Sequence, residues 1–217
     1  MWKIIPIVVI IVIIGGYFAY DKIMESSLVI PNTVTAIKDK EFKGKRLIKV
    51  DIPDSVKSIG AYAFADNRLT EAAIPNSIAS IGKNAFQNNK LTSITIPGSV
   101  KSIGELAFAD NQLTEIVITN GVTSIEKRAF QDNKLTSITI PNSVKSIGGD
   151  AFDRNPLTSI TIGPGVNLGV NKIDGTNYGI DGNERDKGFN YYYRSKGLRA
   201  GTYTKTNTGS TKWEKTK

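Results

Sequence analysis

Two residue types that carry much of enzyme chemistry, histidine and cysteine, do not occur in this sequence of 217 residues. Thiolate nucleophiles, histidine general bases and Cys/His zinc sites are therefore excluded. Carboxylates remain as candidate catalytic groups. Asp51 and Glu71 could lie close together on neighbouring elements, and two acids a few ångströms apart are what a glycoside hydrolase uses. Such a pair needs a cleft that shifts a carboxyl pKa, so its chemistry depends on the elements that carry it.

Two further segments are similar to ligand-binding loops in composition only. Residues 163–169 (GPGVNLG) are rich in glycine, but no Gly-Lys-Ser run follows them, so we predict a turn and not a phosphate-binding loop. Residues 174–188 offer several oxygen ligands, but Thr176 and Tyr178 stand where a calcium-binding loop has Asp or Asn. We therefore predict no metal site, no cofactor and no catalytic residue, and a protein that is not an enzyme.

A period of 22 residues without insertions organises the middle of the chain, as the unit LTSITIPGSVKSIGELAFADNQ at residues 91–112 illustrates. Phenylalanine recurs at Phe42, Phe64, Phe86, Phe108, Phe130 and Phe152, and leucine at Leu47, Leu69, Leu91, Leu113, Leu135 and Leu157. Isoleucine recurs at Ile37, Ile59, Ile81, Ile103, Ile125 and Ile147, and asparagine at Asn67, Asn89, Asn111, Asn133 and Asn155. A fixed period of this length is typical of a solenoid, in which each unit stacks on the next.

The spacing within one unit predicts the path of the chain. In LTSITI, the two isoleucines point inward while Ser93 and Thr95 point to the opposite face, and the proline that follows ends the strand because it has no N–H. Gly104 and its equivalents predict a turn with positive φ, although Glu126 in the same row shows that glycine is not obligatory. The AF stretch predicts a short helical or 3₁₀ turn that brings phenylalanine into the core. Asn111 is expected to cap this turn and to bond the backbone of neighbouring coils.

The combination LxxIxIPxSVxxIGxxAFxxN resembles the BspA-like, or Treponema pallidum-type, leucine-rich repeats of bacterial surface proteins over about residues 28–166. Many members of that family have cysteine where Asn67 and its equivalents stand. The resemblance implies a mainly β leucine-rich-repeat solenoid of about six 22-residue repeats, closed by a small β C-terminal cap. The residues themselves predict its short helical or 3₁₀ turns and an N-terminal hydrophobic helix before it. The resemblance also implies contacts with host matrix proteins or with other bacteria.

Residues 1–22 form an N-terminal segment in which residues 4–20 carry no charge. A helix of that length reaches about 26 Å, near the lower limit for spanning a bilayer. The small residues in GGYFAY give a weak cleavage site for a signal peptide, whereas Tyr17, Phe18 and Tyr20 suit the interface of an uncleaved membrane anchor. Both alternatives export the rest of the chain, and a lipoprotein is excluded because no cysteine is available.

After the repeats we predict a Gly/Asn/Asp-rich loop at residues 167–188 and a β cap with a basic tail at residues 189–217. The segment TYTKTNTGSTKWEK predicts a small hairpin that covers the last coil. Because residues 172–217 carry 10 basic and 5 acidic side chains, an aromatic and basic binding patch is the alternative to a purely structural cap. The candidate residues of that patch are Tyr191, Tyr192, Tyr193, Arg194, Lys196 and Arg199.

The outward residues of the strands predict a small, polar concave face, which is either an ordinary solvated face or a shallow recognition surface. Its candidate ligand-binding residues are Asp51, Glu71, Ser93, Thr95, Glu115, Val117, Ser137, Thr139, Ser159 and Thr161. Because this face is open, Asp51 and Glu71 are expected to have no pocket around them, and a catalytic acid pair is not predicted.

Two functions fit these observations. The first is an adhesion-type binding module at the cell surface or in the envelope of a bacterium, with an extracellular or envelope protein or glycan as its partner. The second is a structural envelope protein that binds cell-wall polymer or itself, without a host ligand. In both cases the chain is extracytoplasmic and contacts the membrane through its N-terminal segment, and no nucleic acid partner is expected.

Overall fold

The computed structural model describes residues 26–168, 172–173, 176–177, 199–206, 210 and 213–216. Within these ranges the chain forms short β-strands joined by turns and contains no helix, so no helix long and apolar enough to cross a bilayer occurs there. The predicted N-terminal hydrophobic helix, most of the predicted 167–188 loop and five residues of the aromatic and basic patch lie outside the described residues.

One side of the coils is formed by long strands. These are β1 (Ser26–Val29), β3 (Leu47–Asp51), β6 (Ser93–Ile96), β8 (Glu115–Ile118), β10 (Ser137–Ile140) and β12 (Ser159–Ile162). In parallel pairing, β1 lies beside β3, β6 beside β8 and β10 beside β12. In the last two pairs the partners are separated by one 22-residue unit, so that Ser93 lies beside Glu115 and Ser137 beside Ser159.

The second side of the coils is formed by strands of two residues. These are β2 (Ala36–Ile37), β4 (Ser58–Ile59), β5 (Ser80–Ile81), β7 (Ser102–Ile103), β9 (Ser124–Ile125), β11 (Ser146–Ile147) and β13 (Asn167–Leu168). They form one parallel sheet of seven strands in chain order. This sheet runs through the solenoid without a break and stacks the isoleucine row on itself, as the period predicts.

Two changes of sequence alter the long-strand side locally. At residues 71–74 the sequence EAAI replaces SITI and no strand forms, which is consistent with the low β propensity of alanine and its small inward side chain. Thr119 stands where other coils have proline, at Pro31, Pro53, Pro75, Pro97 and Pro141. Its backbone N–H donates a hydrogen bond to the carbonyl of Ile96 at 3.0 Å. A proline could not make this bond, so the substitution extends the contact between these two coils by one residue.

The core contains a stack of six phenylalanine rings. Neighbouring ring centroids lie 5.2–5.5 Å apart from Phe42 to Phe152, with interplanar angles of 21° or less. The rings from Phe64 onward are fully buried, as are most side chains of the leucine and isoleucine rows. Each such side chain contributes roughly 1.5–3 kcal/mol by its removal from water. The prediction that equivalent side chains of successive repeats contact one another in one continuous core is confirmed.

The buried asparagine row ties each coil to the one before it. The Oδ1 atom of Asn111 accepts a hydrogen bond from the backbone N–H of Leu91 at 3.1 Å. Its Nδ2 atom donates to the carbonyls of Phe86 in the preceding coil, at 3.0 Å, and of Phe108 and Ala109 in its own turn. The other asparagines of the row repeat this pattern. The predicted capping role is confirmed, and the hydrogen bonds of this row join asparagine side chains to backbone groups of the neighbouring coil.

The glycine row has a role different from the predicted one. Its members do not have positive φ. Positive φ occurs two residues later, at Tyr62, Asn84, Leu106, Arg128 and Asp150. At the glycine positions the coils approach closely: a Cβ atom on Gly104 would lie 2.6 Å from the carbonyl carbon of Gly82, although the row accepts a side chain at Glu126. Our interpretation of this row as a turn with positive φ was wrong, since crowding from the preceding coil favours glycine at these positions.

The AF stretch forms two overlapping β-turns. The N–H of Ala63 donates to the carbonyl of Gly60 at 3.3 Å, and the N–H of Ala65 donates to that of Tyr62 at 3.2 Å. Because the left-handed conformation of Tyr62 lies between them, the turn cannot continue as a helix. The N–H of Phe64 donates to the carbonyl of Ala85 in the next coil at 2.8 Å. The turns that carry the phenylalanines are therefore also joined from coil to coil by backbone hydrogen bonds.

The C-terminal end of the solenoid is closed by a hairpin of β16 (Gly201–Thr204) and β17 (Glu214–Lys215). Strand β16 pairs antiparallel with β12, the last long strand, and its buried Tyr203 lies beside Ile160. Trp213 is also buried. The predicted small β cap is therefore confirmed. Within the predicted loop, β14 (Lys172–Ile173) pairs antiparallel with β15 (Thr176–Asn177).

Candidate functional site

The outward side chains of the long strands form two columns, which we call together the long-strand face. The alternation of each strand buries the two isoleucines of SITI and exposes the serine and the threonine. The first column contains Ser27, Lys49, Glu71, Ser93, Glu115, Ser137 and Ser159. The second column contains Val29, Asp51, Ala73, Thr95, Val117, Thr139 and Thr161. All ten predicted residues of the concave face therefore lie in these two columns.

The predicted residues of the concave face are exposed to solvent except at the C-terminal end of the solenoid. Eight of the ten are exposed, whereas Ser159 and Thr161 are half-buried. The cause is strand β16, which places Thr204 beside Ser159 and Thr202 beside Thr161. The hydroxyl oxygens of Thr161 and Thr202 lie 3.0 Å apart and share a hydrogen bond. The cap thus extends the long-strand face by one further strand, a contribution that the repeat alone does not predict.

The first column includes an ion pair that sequence reasoning missed. The Nζ atom of Lys49 lies 3.2 Å from Oε1 of Glu71. This hydrogen bond, followed by the charges of Glu71 and Asp51, raises the pKa of the Lys49 ammonium above its usual value. Both candidate acids are exposed, so neither lies in the enclosed cleft that an acid pair needs for glycoside hydrolysis. The 22-residue spacing from Lys49 to Glu71 was the signal that could have identified the pair.

The second column is apolar at alternate coils. Val29 is 46% exposed and Val117 is 44% exposed, and they are the exposed large hydrophobic residues of the described chain. Ala73, halfway between them in the column, is also exposed. Polar residues occupy the coils between. Small, stiff side chains of this kind lose little conformational entropy when a partner covers them, so the face suits contact with another surface more than coordination of an ion.

The remaining candidate sites receive little structural support. No group of three or more His, Cys, Asp or Glu residues that could hold a metal ion occurs in the described part of the chain. Of the aromatic and basic patch, only Arg199 is described. It is exposed, and its backbone carbonyl accepts a hydrogen bond from the hydroxyl of Tyr203 at 2.5 Å. Arg199 therefore supports the cap through its backbone, while its side chain stays accessible.

A family model described as BspA type leucine rich repeat region matches residues 13–134 and 107–174, in six copies. The chain is also similar to the crystal structure of a leucine rich cell surface protein from Faecalibacterium prausnitzii, with 33% identity and a TM-score of 0.58. That match covers 74% of this chain and 44% of the other, so the chain spans less than half of that protein's length.

A second solved structure, the pneumococcal vaccine antigen PcpA, is 23% identical with a TM-score of 0.45, over 74% of this chain and 35% of that one. A leucine-rich repeat protein from Bacteroides ovatus is 21% identical with a TM-score of 0.35, over 66% of this chain and 51% of that one. No curated protein matches the sequence.

Proposed function

The chain belongs to the BspA-type leucine-rich repeat family, and on that premise we propose that it is an extracytoplasmic binding module of the adhesion type. Its long-strand face would recognise another protein at the bacterial surface, without catalysis. The similar structure from Faecalibacterium prausnitzii is described as a cell surface protein, which supports this location. The apolar run at residues 4–20 supports export, whether as a signal peptide or as a membrane anchor.

The observation that carries the proposal is the rigid spacing of the two exposed columns. Every coil holds its neighbour through the phenylalanine stack and the asparagine bonds, so the outward side chains are fixed before any partner arrives. A surface that is already ordered loses little entropy on binding. The exposed valines provide apolar contact, and the serine and threonine hydroxyls provide hydrogen bonds around it.

A structural envelope role is the second candidate, and the size of the solenoid favours it. Five steps of 5.2–5.5 Å make the phenylalanine stack roughly 27 Å long, which is a short reach for a protein held at a membrane. Added protease on intact cells distinguishes the two roles. Cleavage of the chain would support display at the surface, whereas protection throughout would support the envelope role.

Binding is tested by measuring the affinity of the full chain for immobilised fibronectin, laminin and collagen. The variant Thr95→Glu/Thr139→Glu places two charges on the second column, whereas Ala79→Glu/Thr123→Glu adds the same charge at exposed positions before the short strands. We expect the first variant to lose about tenfold or more in affinity for at least one of these proteins, and the second to stay close to the parent. Equal losses in both variants, or no binding by the parent, would refute a protein-binding role of the long-strand face.

A further inference from the structure

Basic side chains form a single file beside the long-strand face, one residue before the leucine row. This basic stripe consists of Arg46, Arg68, Lys90 and Lys134, with Gln112 in line between the two lysines. The backbone N–H groups of the last four positions donate to the preceding leucine carbonyls at 2.8–3.0 Å, so each side chain sits one coil above the previous one. All are exposed except Arg68, which is half-buried. The stripe is roughly 20 Å long, since its four steps follow the ring spacing of 5.2–5.5 Å.

The cations of the stripe have no carboxylate partner among the described residues, unlike many other cations of the solenoid. Lys83 pairs with Glu105 in the next coil at 2.8 Å, and Arg128 pairs with Asp150 at 3.4 Å. None of the four stripe cations forms such a pair within the described ranges. Their positive charge is therefore free to act on a ligand, because no internal ion pair neutralises it.

The nearest acidic column is already engaged with other groups. Asp66 pairs with Lys43 at 3.3 Å and also accepts a hydrogen bond from Asn88 at 2.9 Å. Asp110 accepts one from Gln87 at 2.8 Å, and Asp132 pairs with Arg154 at 3.3 Å. These aspartates precede the stripe by two residues in each coil and direct their carboxylates to partners on adjacent coils. Because this acidic column runs alongside the stripe, the positively charged surface is only one residue wide.

On its other flank the stripe is bordered by exposed hydroxyls. The residues two positions after the stripe are Thr70, Thr92, Thr114 and Thr136, all of them exposed. Beside Arg46 the equivalent residue is Ile48, so a ligand lying along the stripe would meet one stripe position in each of its five coils and one hydroxyl in each of the last four. Carboxylates and sulfates bind arginine through two parallel hydrogen bonds, and sugar hydroxyls can exchange hydrogen bonds with threonine.

We propose that the basic stripe binds a linear acidic polysaccharide, with carboxylate or sulfate groups on the cations and sugar hydroxyls on the threonines. A single file of charges suits one extended polymer strand. A nucleic acid duplex fits less well, because its second strand would approach the aspartate column, and the stripe has no aromatic side chain on which unpaired bases could stack. This site goes beyond the proposed protein-binding role of the long-strand face and does not depend on it.

The test measures the affinity of the full chain, in mild detergent, for immobilised heparin, which is sulfated, and for polygalacturonate, which carries carboxylates only. Neutral dextran serves as the background, and double-stranded DNA is measured under the same conditions. The variant Arg68→Gln/Lys90→Gln/Lys134→Gln removes three charges from the stripe. Its matched control, Lys57→Gln/Lys101→Gln/Lys145→Gln, removes three exposed charges from the turns before the short strands. Circular dichroism spectra confirm that both variants keep the parental fold.

We expect the stripe variant to lose about tenfold in affinity for at least one acidic polysaccharide and to show a shallower dependence on salt, while the control stays within about twofold of the parent. Gln112→Lys fills the gap in the stripe and should raise the affinity. The polymer that shows these effects identifies sulfate or carboxylate as the recognised group. Binding of matrix proteins by the stripe variant should be unchanged, which separates this site from the long-strand face.

Three results would overturn the proposal. Equal losses in both triple variants would mean that net charge alone governs attraction to the polymer. Unchanged affinity in the stripe variant would place any binding elsewhere, for instance in the basic segment 172–217. Tighter binding of DNA than of either polysaccharide would assign the stripe to nucleic acid.

Discussion

Replacing Phe108 by alanine tests the physical basis of the whole solenoid. The ring is fully buried, and its centroid lies 5.3 Å from that of Phe86 and 5.4 Å from that of Phe130. Removing a buried phenylalanine ring costs about 3–5 kcal/mol, which includes the cavity that remains. Of this, each stacked neighbour contributes about 0.5–1.5 kcal/mol.

Phe42 provides the matched comparison for this substitution. It lies at the N-terminal end of the described stack, has one stacked neighbour at 5.5 Å and is 9% exposed. Phe42→Ala should therefore cost about 1 kcal/mol less than Phe108→Ala, because one ring contact fewer is lost.

Urea unfolding of the full chain, followed by circular dichroism, measures both effects. With a slope of about 2–3 kcal/mol/M, the Phe108→Ala midpoint should fall by about 1–2.5 M. A midpoint that does not move would show that the stack contributes nothing to the free energy of unfolding. An equal loss for Phe42→Ala and Phe108→Ala would show that the two-sided stacking is not what stabilises the middle of the array.

Three further substitutions test other contacts. Asn111→Ala removes the acceptor of the Leu91 N–H and a donor to the Phe86 carbonyl, and should cost about 2–4 kcal/mol in urea unfolding; a loss below about 0.5 kcal/mol would contradict a tie between coils. Gly82→Ala places a Cβ atom 2.6 Å from the carbonyl carbon of Gly60 and should lower the melting temperature more than Gly44→Ala, whose Cβ meets no atom within 4 Å and whose cost is only about 1–2 kcal/mol, from its positive φ of 67°. Burial raises the pKa of Asp153, so its stabilising effect is present below the unfolded pKa of about 3.9 and is lost as pH rises through the higher folded value. Asp153→Asn should therefore raise the melting temperature at neutral pH and have no such effect below about pH 3.9, whereas a pH-independent effect would argue against a buried charge.

The fold was largely predictable because the 22-residue period fixes which side chains stack. Once Phe64, Phe86 and Phe108 occupy equivalent positions, their contact follows from the architecture and not from local propensity. The glycine row was misread for the opposite reason. Local turn chemistry suggested positive φ, but the clash that excludes a side chain at Gly104 comes from Gly82, and its size depends on how closely two coils approach.

The candidate surfaces were predictable in position but not in charge. Alternation along the strands placed Thr95 and Thr139 outward, where the structure has them. The pairing of Lys49 with Glu71 depends on side-chain conformation, which the repeat pattern does not fix. The free charge of the basic stripe became visible only when the partners of Asp66 and Asp132 were known, because an acid two residues away along the chain would otherwise be taken as the counter-ion.

The antiparallel strand β16 has a consequence for how such a chain can change in length. It pairs with β12 through backbone hydrogen-bonding groups, and the equivalent residues of the preceding long strands carry the same groups at the same positions of the repeat. Duplication or loss of one whole 22-residue segment between the first coil and the hairpin should therefore leave the terminus able to dock as before. Insertion of one or two residues inside a segment would instead displace its ring and amide from their neighbours, so length variation in this protein is expected in whole-repeat increments.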